Sequence, residues 1–440
     1  MTPASPIDRW HHLLREQADE DLCGALADRM REGRLVFGGR LLCPFLRPFF
    51  LDARDESRVA HASEALWRLG EQFVRAAAGN DALMRAVGMT DGEIALAAID
   101  PGQGPASTAA RADAFILPRS LQFAEYNAES PAGPAYSQRL AELFDASILM
   151  KGFRETFDVR FYTPMSHILG ALLQTWRDWS GRDAAPSLAI VDWREVPTWS
   201  EFELIRDAFA AIGVPAAIHD PRDLVFDGTA LMAAGKRIDF VYRRVLVNDI
   251  LARPADCHAL VEAYRAGAVC VANNFRCKIP HKKAFFAVLT DERYHALFER
   301  ADLEAVREHV PWTRLVDADI AAQVRRGRER IVLKPNDEYG GTGVTLGWET
   351  TAAAWDTALD RAVGDGGWIA QERIEVRREV FPICEGTRIV DRNMLVDFAP
   401  YVFRGRVSGY LTRLSATGLA NVTSGGGQVP AFVVDAKTIS

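Results

Sequence analysis

The segment that most constrains this chain runs from Ile331 to Val344: an apolar stretch ending in Lys334-Pro335, a polar turn, then Gly340-Gly341-Thr342-Gly343 and a second apolar stretch. That order predicts a hairpin whose tip carries few side chains. Glycines let the backbone approach a ligand and turn N–H groups toward an anion, and Lys334 places a positive charge beside them. Together they are suited to polyphosphate. The lysine precedes the glycines and no Gly-Lys-Ser/Thr follows, so the segment is not a Walker loop. An ordinary glycine-rich hairpin is the competing reading.

Two further segments bear on the same chemistry. The stretch Asn273 to Lys283 leads into a helix expected over His281 to Phe298, with Lys283 at its opening. A lysine there opposes the helix dipole unless an anion lies nearby, which makes Lys283 a second phosphate candidate beside the alternative of a surface lysine. Trp368 to Ile374 reads as a short strand whose Gln371 and Glu372 offer amides and an acid to an adenosine, although any edge strand looks alike.

Much earlier, strands expected near Ala112–Leu117 and Leu121–Tyr126 carry Arg111, Asp113, Glu125 and Asn127. Alternate residues of a strand share a face, so Arg111 goes with Asp113 and Glu125 with Asn127; pairing the strands gathers all four. Clustered Asp, Glu and Asn oxygens suit a hard cation such as Mg²⁺ that also touches phosphate. Without a metal the carboxylates repel, and Arg111 moderates that. A salt-bridged strand pair is the alternative.

The 440 residues, 48% hydrophobic and 25% charged, predict a globular chain of two or three domains,. We expect a mainly helical segment over 1–100, with an aromatic interruption at Phe45 to Leu51 and an amphipathic run Glu56–Ala78. The metal-binding strand pair and helices fall in 101–180, a small open α/β domain in 187–280, and the nucleotide-binding part in 281–440. In the α/β domain Leu188–Val191, Pro215–His219 and Phe240–Val247 read as strands and Ser200–Gly213 as a helix,. Asp192, Trp193 and Arg194 follow the first strand, where such domains bind ligands; a turn with an ion pair is the alternative.

The net charge of -7 gives no electrostatic reason to expect nucleic acid as the main partner,. The six cysteines include no C-x-x-C pair, so a sulfur-held metal is not expected,. The N-terminus lacks the pattern of a signal peptide, and no apolar run approaches the roughly 18 residues that span a bilayer. The expectation is a cytoplasmic protein with reduced thiols and no membrane partner.

Arg111-x-Asp113, Glu125-x-Asn127, Lys283, Lys334-Pro335 and Gly340-Gly341-Thr342-Gly343, in that order, resemble the circularly permuted ATP-grasp proteins, of which the glutathionylspermidine synthase group is a described relative. In ordinary ATP-grasp enzymes the Glu-x-Asn motif follows the nucleotide-binding lysines; here it precedes them. The resemblance covers roughly residues 45–430. It implies an α/β (α+β) fold with a permuted ATP-grasp core, an open α/β pre-ATP-grasp domain and an N-terminal helical segment. It also implies Mg²⁺ on Asp113, Glu125 and Asn127, and ATP phosphates on Lys283, Lys334 and the Gly340–Gly343 loop, with Arg111 stabilising developing charge. The implied reaction joins a small-molecule or peptide carboxylate to an amine through an acyl phosphate, releasing ADP and phosphate. A nucleotide-binding regulator without turnover and a small-molecule kinase are the alternatives. A fused amidase domain is not expected at this length, and the end, Arg413 to Gly427, resembles that of uncharacterised permuted members, so glutathione and spermidine are not the expected substrates.

Overall fold

In the computed structural model of the chain, which describes residues 5–17, 21–386, 388–417 and 426–437, the amphipathic run becomes one helix, Ala53–Ala77. Asp52 caps it by accepting the N–H of Asp55 at 2.7 Å,. The buried stripe Val59, Ala62, Leu66, Leu69 and Phe73 keeps the three- and four-residue spacing of one helix face,. Helices Pro6–Gln17, Leu22–Glu32 and Asp91–Ala97 accompany it. The aromatic interruption contains strand β1 (Phe49–Leu51).

The expected strand pair is present as β2 (Ala109–Leu117) and β3 (Ser120–Asn127), antiparallel, with Asp113 opposite Glu125 and Arg111 opposite Asn127. A bulge interrupts it: Asp113 pairs with Glu125 but Ala114 with Phe123, so Ala124 has no residue opposite. One extra residue reverses the alternation. Leu121 and Phe123 are buried before it and Tyr126 after it, while Glu125 and Asn127 turn to the other face.

Strand β4 (Phe157–Arg160) precedes a four-stranded parallel sheet of β5 (Leu188–Val191), β6 (Ala216–His219), β7 (Phe240–Arg243) and β8 (Cys270–Ala272), in the order β8-β7-β5-β6. With the crossover helix Trp199–Ala211, this is the open α/β unit read from the sequence. β5, β7 and β8 are buried along their whole length, as sheets covered on both faces require. The expected strand to Val247 stops at Arg243, because the N–H groups of Arg244 and Val245 both turn back to the carbonyl of Val191.

An antiparallel sheet follows: β9 (Thr313–Leu315), β10 (Ile331–Pro335), β11 (Thr345–Leu346) and β12 (Trp368–Glu372), in the order β9-β12-β10-β11. Helices Ala318–Arg326 and Ala352–Asp365 cover one face, where Val324, Trp355 and Leu359 meet Leu333 and Ala370. Strands β13 (Arg377–Glu385), β14 (Arg388–Phe403), β15 (Arg406–Ser415) and β16 (Gly427–Val429) then join β2 and β3 in the order β16-β15-β14-β2-β3, with β13 beside β14. β17 (Ala431–Ala436) lies between β1 and β4. Early and late segments of the chain thus share sheets, which the permuted order demands.

Two expectations are corrected. The continuous helix over His281–Phe298 is instead a one-turn helix Lys278–His281, a short helix Phe285–Leu289 and a 3₁₀ segment Glu292–Leu297. The chain is extended at Lys282 (ψ 132°), and the next N–H, of Lys283, is spent on the carbonyl of Asn336 at 3.1 Å. With five residues after the break, the dipole argument for Lys283 falls away. The thiols are also not all reduced: Cys23 and Cys384 form a disulfide across 361 residues of chain, a separation no spacing rule detects. Cys43, Cys257, Cys270 and Cys277 are free and buried. Among the described residues no helix is long and apolar enough to cross a membrane.

Candidate active site

The face of the large sheet to which the bulge turns Glu125 and Asn127 also carries Arg111 and Asp113. Asn127 Nδ2 donates to Glu125 Oε1 at 3.1 Å, and Arg111 Nε donates to Asp113 Oδ1 at 2.8 Å. The sequence-predicted quartet is therefore one patch, with Arg111 held in place by a second bond to the carbonyl of Ala132 at 3.0 Å.

Two residues extend this patch that the sequence reading did not assign to it. Asp397 of β14 stands opposite Arg413 of β15, and Arg413 Nη2 bridges Asp397 and Asp113. Asp397 is 3% exposed and its Oδ1 has no partner. Burial pushes its carboxyl upward more than Arg413 pulls it down, and Asp113 adds to the rise. Asp113, equally buried, is held well below the usual carboxylate range by Arg111 and Arg413,. The sequence did contain a signal, an acid inside the apolar run Met394-Leu395-Val396-Asp397-Phe398-Ala399 and an arginine in the apolar run of β15. In the sequence Arg413 reads instead as the start of a C-terminal tail. Of that tail, residues 418–425 lie outside the described residues, and Gly427 opens β16.

Facing this patch is the antiparallel sheet. Val332, Lys334 and Gln371 point from it into a cleft whose other wall includes Phe115, Glu125, Asp397 and Arg413. Lys334 Nζ donates to Gln371 Oε1 at 2.7 Å and across the cleft to the carbonyl of Ala124 at 3.2 Å. That carbonyl belongs to the bulge residue. Burial lowers the Lys334 ammonium to about 8, with Glu125 opposing the fall and Lys283 adding to it. Lys283 reaches the same place from the turn before Phe285: its Nζ lies 3.4 Å from Glu125 Oε2 and 2.5 Å from the carbonyl of Glu338.

The glycine loop closes one end. Gly340, Gly341 and Gly343 have φ of +67°, +76° and +75°, the left-handed region that other residues enter at a cost. A Cβ on Gly343 would also lie 2.7 Å from Pro335 Cγ. Thr342 lines the cleft with Gly340 and Gly341. Leu346, Trp348, Ile374 and Val376 add apolar surface to the lining, which also includes the exposed Glu372, a surface against which a flat aromatic group can pack. β12 is an inner strand rather than an edge: Gln371 pairs with Thr313 on one side and Val332 on the other, so its amides serve the sheet and its side chain holds Lys334.

Asp192, Trp193 and Arg194 lie outside the cleft lining. Arg194 Nη2 pairs with Asp223 at 2.8 Å, and Trp193 is buried beneath Arg253 at 4.4 Å. This is the ion-paired turn that the sequence left as the alternative.

Asp113, Glu125 and Asn127 are all oxygen donors on one patch, a donor set that fits a hard cation rather than a soft one. Among the described residues no group of three or more His, Cys, Asp or Glu is arranged to hold a metal.

Comparison with known proteins supports the same reading of the fold. A chain of Globodera pallida, a glutathione synthetase-like effector (GSS30), superposes with a TM-score of 0.60 over 98% of both chains at 13% identity, a likeness of fold alone. Among curated sequences, proteins of Frankia alni and Frankia casuarinae provisionally named glutamate–cysteine ligase 2-3 and 2-2 are 27% and 24% identical over 45% and 49% of this chain. The matched part spans only about a quarter of those relatives' length (24% and 26%). Residues 120–422, more than half of the chain, match the family described as circularly permuted ATP-grasp type 2. The chain belongs to the circularly permuted ATP-grasp type 2 family.

Proposed function

We propose that this chain is an ATP- and Mg²⁺-dependent ligase that joins a carboxylate to an amine through an acyl phosphate, releasing ADP and phosphate. The observation that carries the reading is the meeting of Glu125 with Lys283 at 3.4 Å and with Lys334 across one cleft. A carboxylate and amide patch facing two lysines and a glycine loop is what a metal–polyphosphate complex needs on its two sides. The provisional ligase names of the Frankia relatives point to amide-forming chemistry.

Lys283, Lys334 and the Gly340–Gly343 loop would hold the phosphates, Gln371 would support Lys334 there through its side chain, and Glu372 would lie toward the nucleoside beside the apolar lining. Asp113, Glu125 and Asn127 would hold Mg²⁺, which would supply positive charge to offset that of the phosphates. Arg111 is fixed by Asp113 and Ala132 and offers a positive charge that needs no reorganisation when the γ-phosphoryl group moves to the carboxylate oxygen. The amine nitrogen then attacks the acyl carbon, the carbon–oxygen bond to phosphate breaks, and the amine proton is lost to solvent. A closed glycine loop keeps water from the acyl phosphate.

The test is a panel of amino acids and small peptides, glutamate among the acids and cysteine among the amines, incubated with ATP and Mg²⁺ and with hydroxylamine in place of the amine. A ligase gives a hydroxamate with ADP and phosphate in equal amounts. A small-molecule kinase gives a stable phosphoester without free phosphate, and a regulator gives ATP binding without turnover; either result refutes the proposal.

A further inference from the structure

Directly behind the candidate phosphate site, and outside the lining of the cleft, lies a buried cluster of charge. Its anions are Glu93, Glu129 and Asp337, and its cations are Lys278, Lys282 and Arg243. Lys278 Nζ lies 2.7 Å from Asp337 Oδ1 and 3.1 Å from Glu129 Oε2; Lys282 Nζ lies 2.6 Å from Asp337 Oδ2 and 2.7 Å from Glu93 Oε1. Arg243, at the end of β7, reaches Glu129 Oε1 at 3.1 Å. Asn248, from the same α/β unit, donates to Asp337 Oδ2 at 3.0 Å. Lys278, Lys282, Glu93 and Glu129 are each no more than 3% exposed. Breaking one member of such a group leaves an uncompensated charge in the interior.

Three members, Glu129, Lys282 and Asp337, sit beside a candidate ligand in sequence. Glu129 follows Asn127 by two residues, Lys282 precedes Lys283, and Asp337 lies between Lys334 and the glycine loop. The backbones are zipped at the same place. Lys283 N donates to Asn336 O at 3.1 Å, Ala284 N to Asn336 Oδ1 at 2.8 Å, and Lys283 Nζ to Glu338 O at 2.5 Å. Asp337 is the link between those bonds, and its carboxylate is held by Lys278 and Lys282, both of which precede Lys283.

We infer that Asp337, clamped by Lys278 and Lys282, is a positioning residue that sets Lys283 and the root of the glycine loop in the geometry that receives phosphate. The inference rests on the nucleotide reading of the cleft. It explains why two adjacent lysines differ: Lys282 turns inward to hold Asp337, and Lys283 turns to the cleft. It also accounts for the break in the helix, since a continuous helix from His281 would carry Lys283 away from Asn336.

Asp337→Asn preserves shape and the acceptor for Asn248 but removes the charge that the lysines hold. Hydrogen–deuterium exchange on the protein without nucleotide should show about a tenfold rise in exchange over residues 338–343, with β10 and β12 unchanged. ATP affinity with Mg²⁺ should fall about tenfold in the Asp337→Asn protein, yet only about threefold when the same change is made in a Lys283→Ala background, because the part that acts through Lys283 is then already lost and only the loop's part remains. Equal factors in both backgrounds, or unchanged loop exchange, overturn the inference, since a purely structural role would lower stability alike in either. If the unmodified protein binds no ATP, the nucleotide reading fails by itself, and the exchange measurement still decides whether Asp337 orders the loop. Should Asp337→Asn not fold, Lys282→Gln, which removes one contact to the same carboxylate, carries both measurements.

Discussion

Replacing Lys334 with methionine should separate what the residue costs the fold from what it does in the cleft. Its ammonium is lowered from 10.5 to about 8, chiefly by burial. At 1.36 kcal/mol per unit that is a cost of at most about 3 kcal/mol at neutral pH, less because the side chain keeps some contact with water. Methionine removes this cost but leaves Gln371 Oε1 and the Ala124 carbonyl without their donor, a loss of about 1–3 kcal/mol. The net change in stability is then within about 2 kcal/mol of zero. The pH dependence carries a sign. Between about 8 and 10.5 the unfolded chain holds a proton that the folded chain lacks, so this residue makes stability rise with pH in that window. The Lys334→Met protein should lack that increment. ATP affinity should meanwhile fall by about 1.5–3 kcal/mol, the worth of a charge-assisted hydrogen bond, or about 10- to 150-fold. Denaturant unfolding at pH 7 and pH 9.5 with calorimetric ATP titration would measure both. Unchanged ATP affinity removes Lys334 from the site. A stability loss beyond about 4 kcal/mol makes it a structural bridge between the two sheets instead, since orphaning those acceptors costs less.

Glu125→Gln keeps the shape of a side chain that is partly open to the cleft, so stability should change by less than about 1 kcal/mol while Mg²⁺-dependent turnover is lost; a fully active variant would make the patch structural. Gly343→Ala meets both a φ of +75° and Pro335 Cγ at 2.7 Å, and loop closure should suffer more than binding. Its hydroxamate yield should therefore drop at least tenfold with ATP affinity changed less than threefold, and equal losses in the two would contradict a closing role.

What the sequence allowed to be read was set by local pattern. β2 and β3, the parallel strands β5 to β7 and the hairpin of β10 and β11 are short apolar runs bounded by turns, and the Arg111 to Asn127 quartet follows from strand alternation. That alternation worked for Glu125 only because the bulge at Ala124 moves one residue out of register, which no periodicity announces. Asp397 and Arg413 join the patch from strands hundreds of residues away, so only tertiary pairing brings them to it. The same holds for the Cys23–Cys384 bond. The helix expected after His281 failed because the bond from Lys283 N to Asn336 outweighs local helix propensity, and that partner lies more than fifty residues further on.

In the proposed reaction a carboxylate oxygen takes the γ-phosphoryl group before the amine arrives. An acid from the panel that supports turnover, labelled with ¹⁸O in its carboxylate, tests this directly when the phosphate released in the complete reaction is analysed by mass spectrometry. One ¹⁸O atom per phosphate is expected, because the oxygen that attacked phosphorus leaves with it when the amine takes the acyl carbon, with ADP as the other product. Label found in AMP, with pyrophosphate released, would mean an adenylate and contradict the assignment of Lys283, Lys334 and the glycine loop to the γ-phosphate; unlabelled phosphate would mean that ATP is hydrolysed without activating the acid at all.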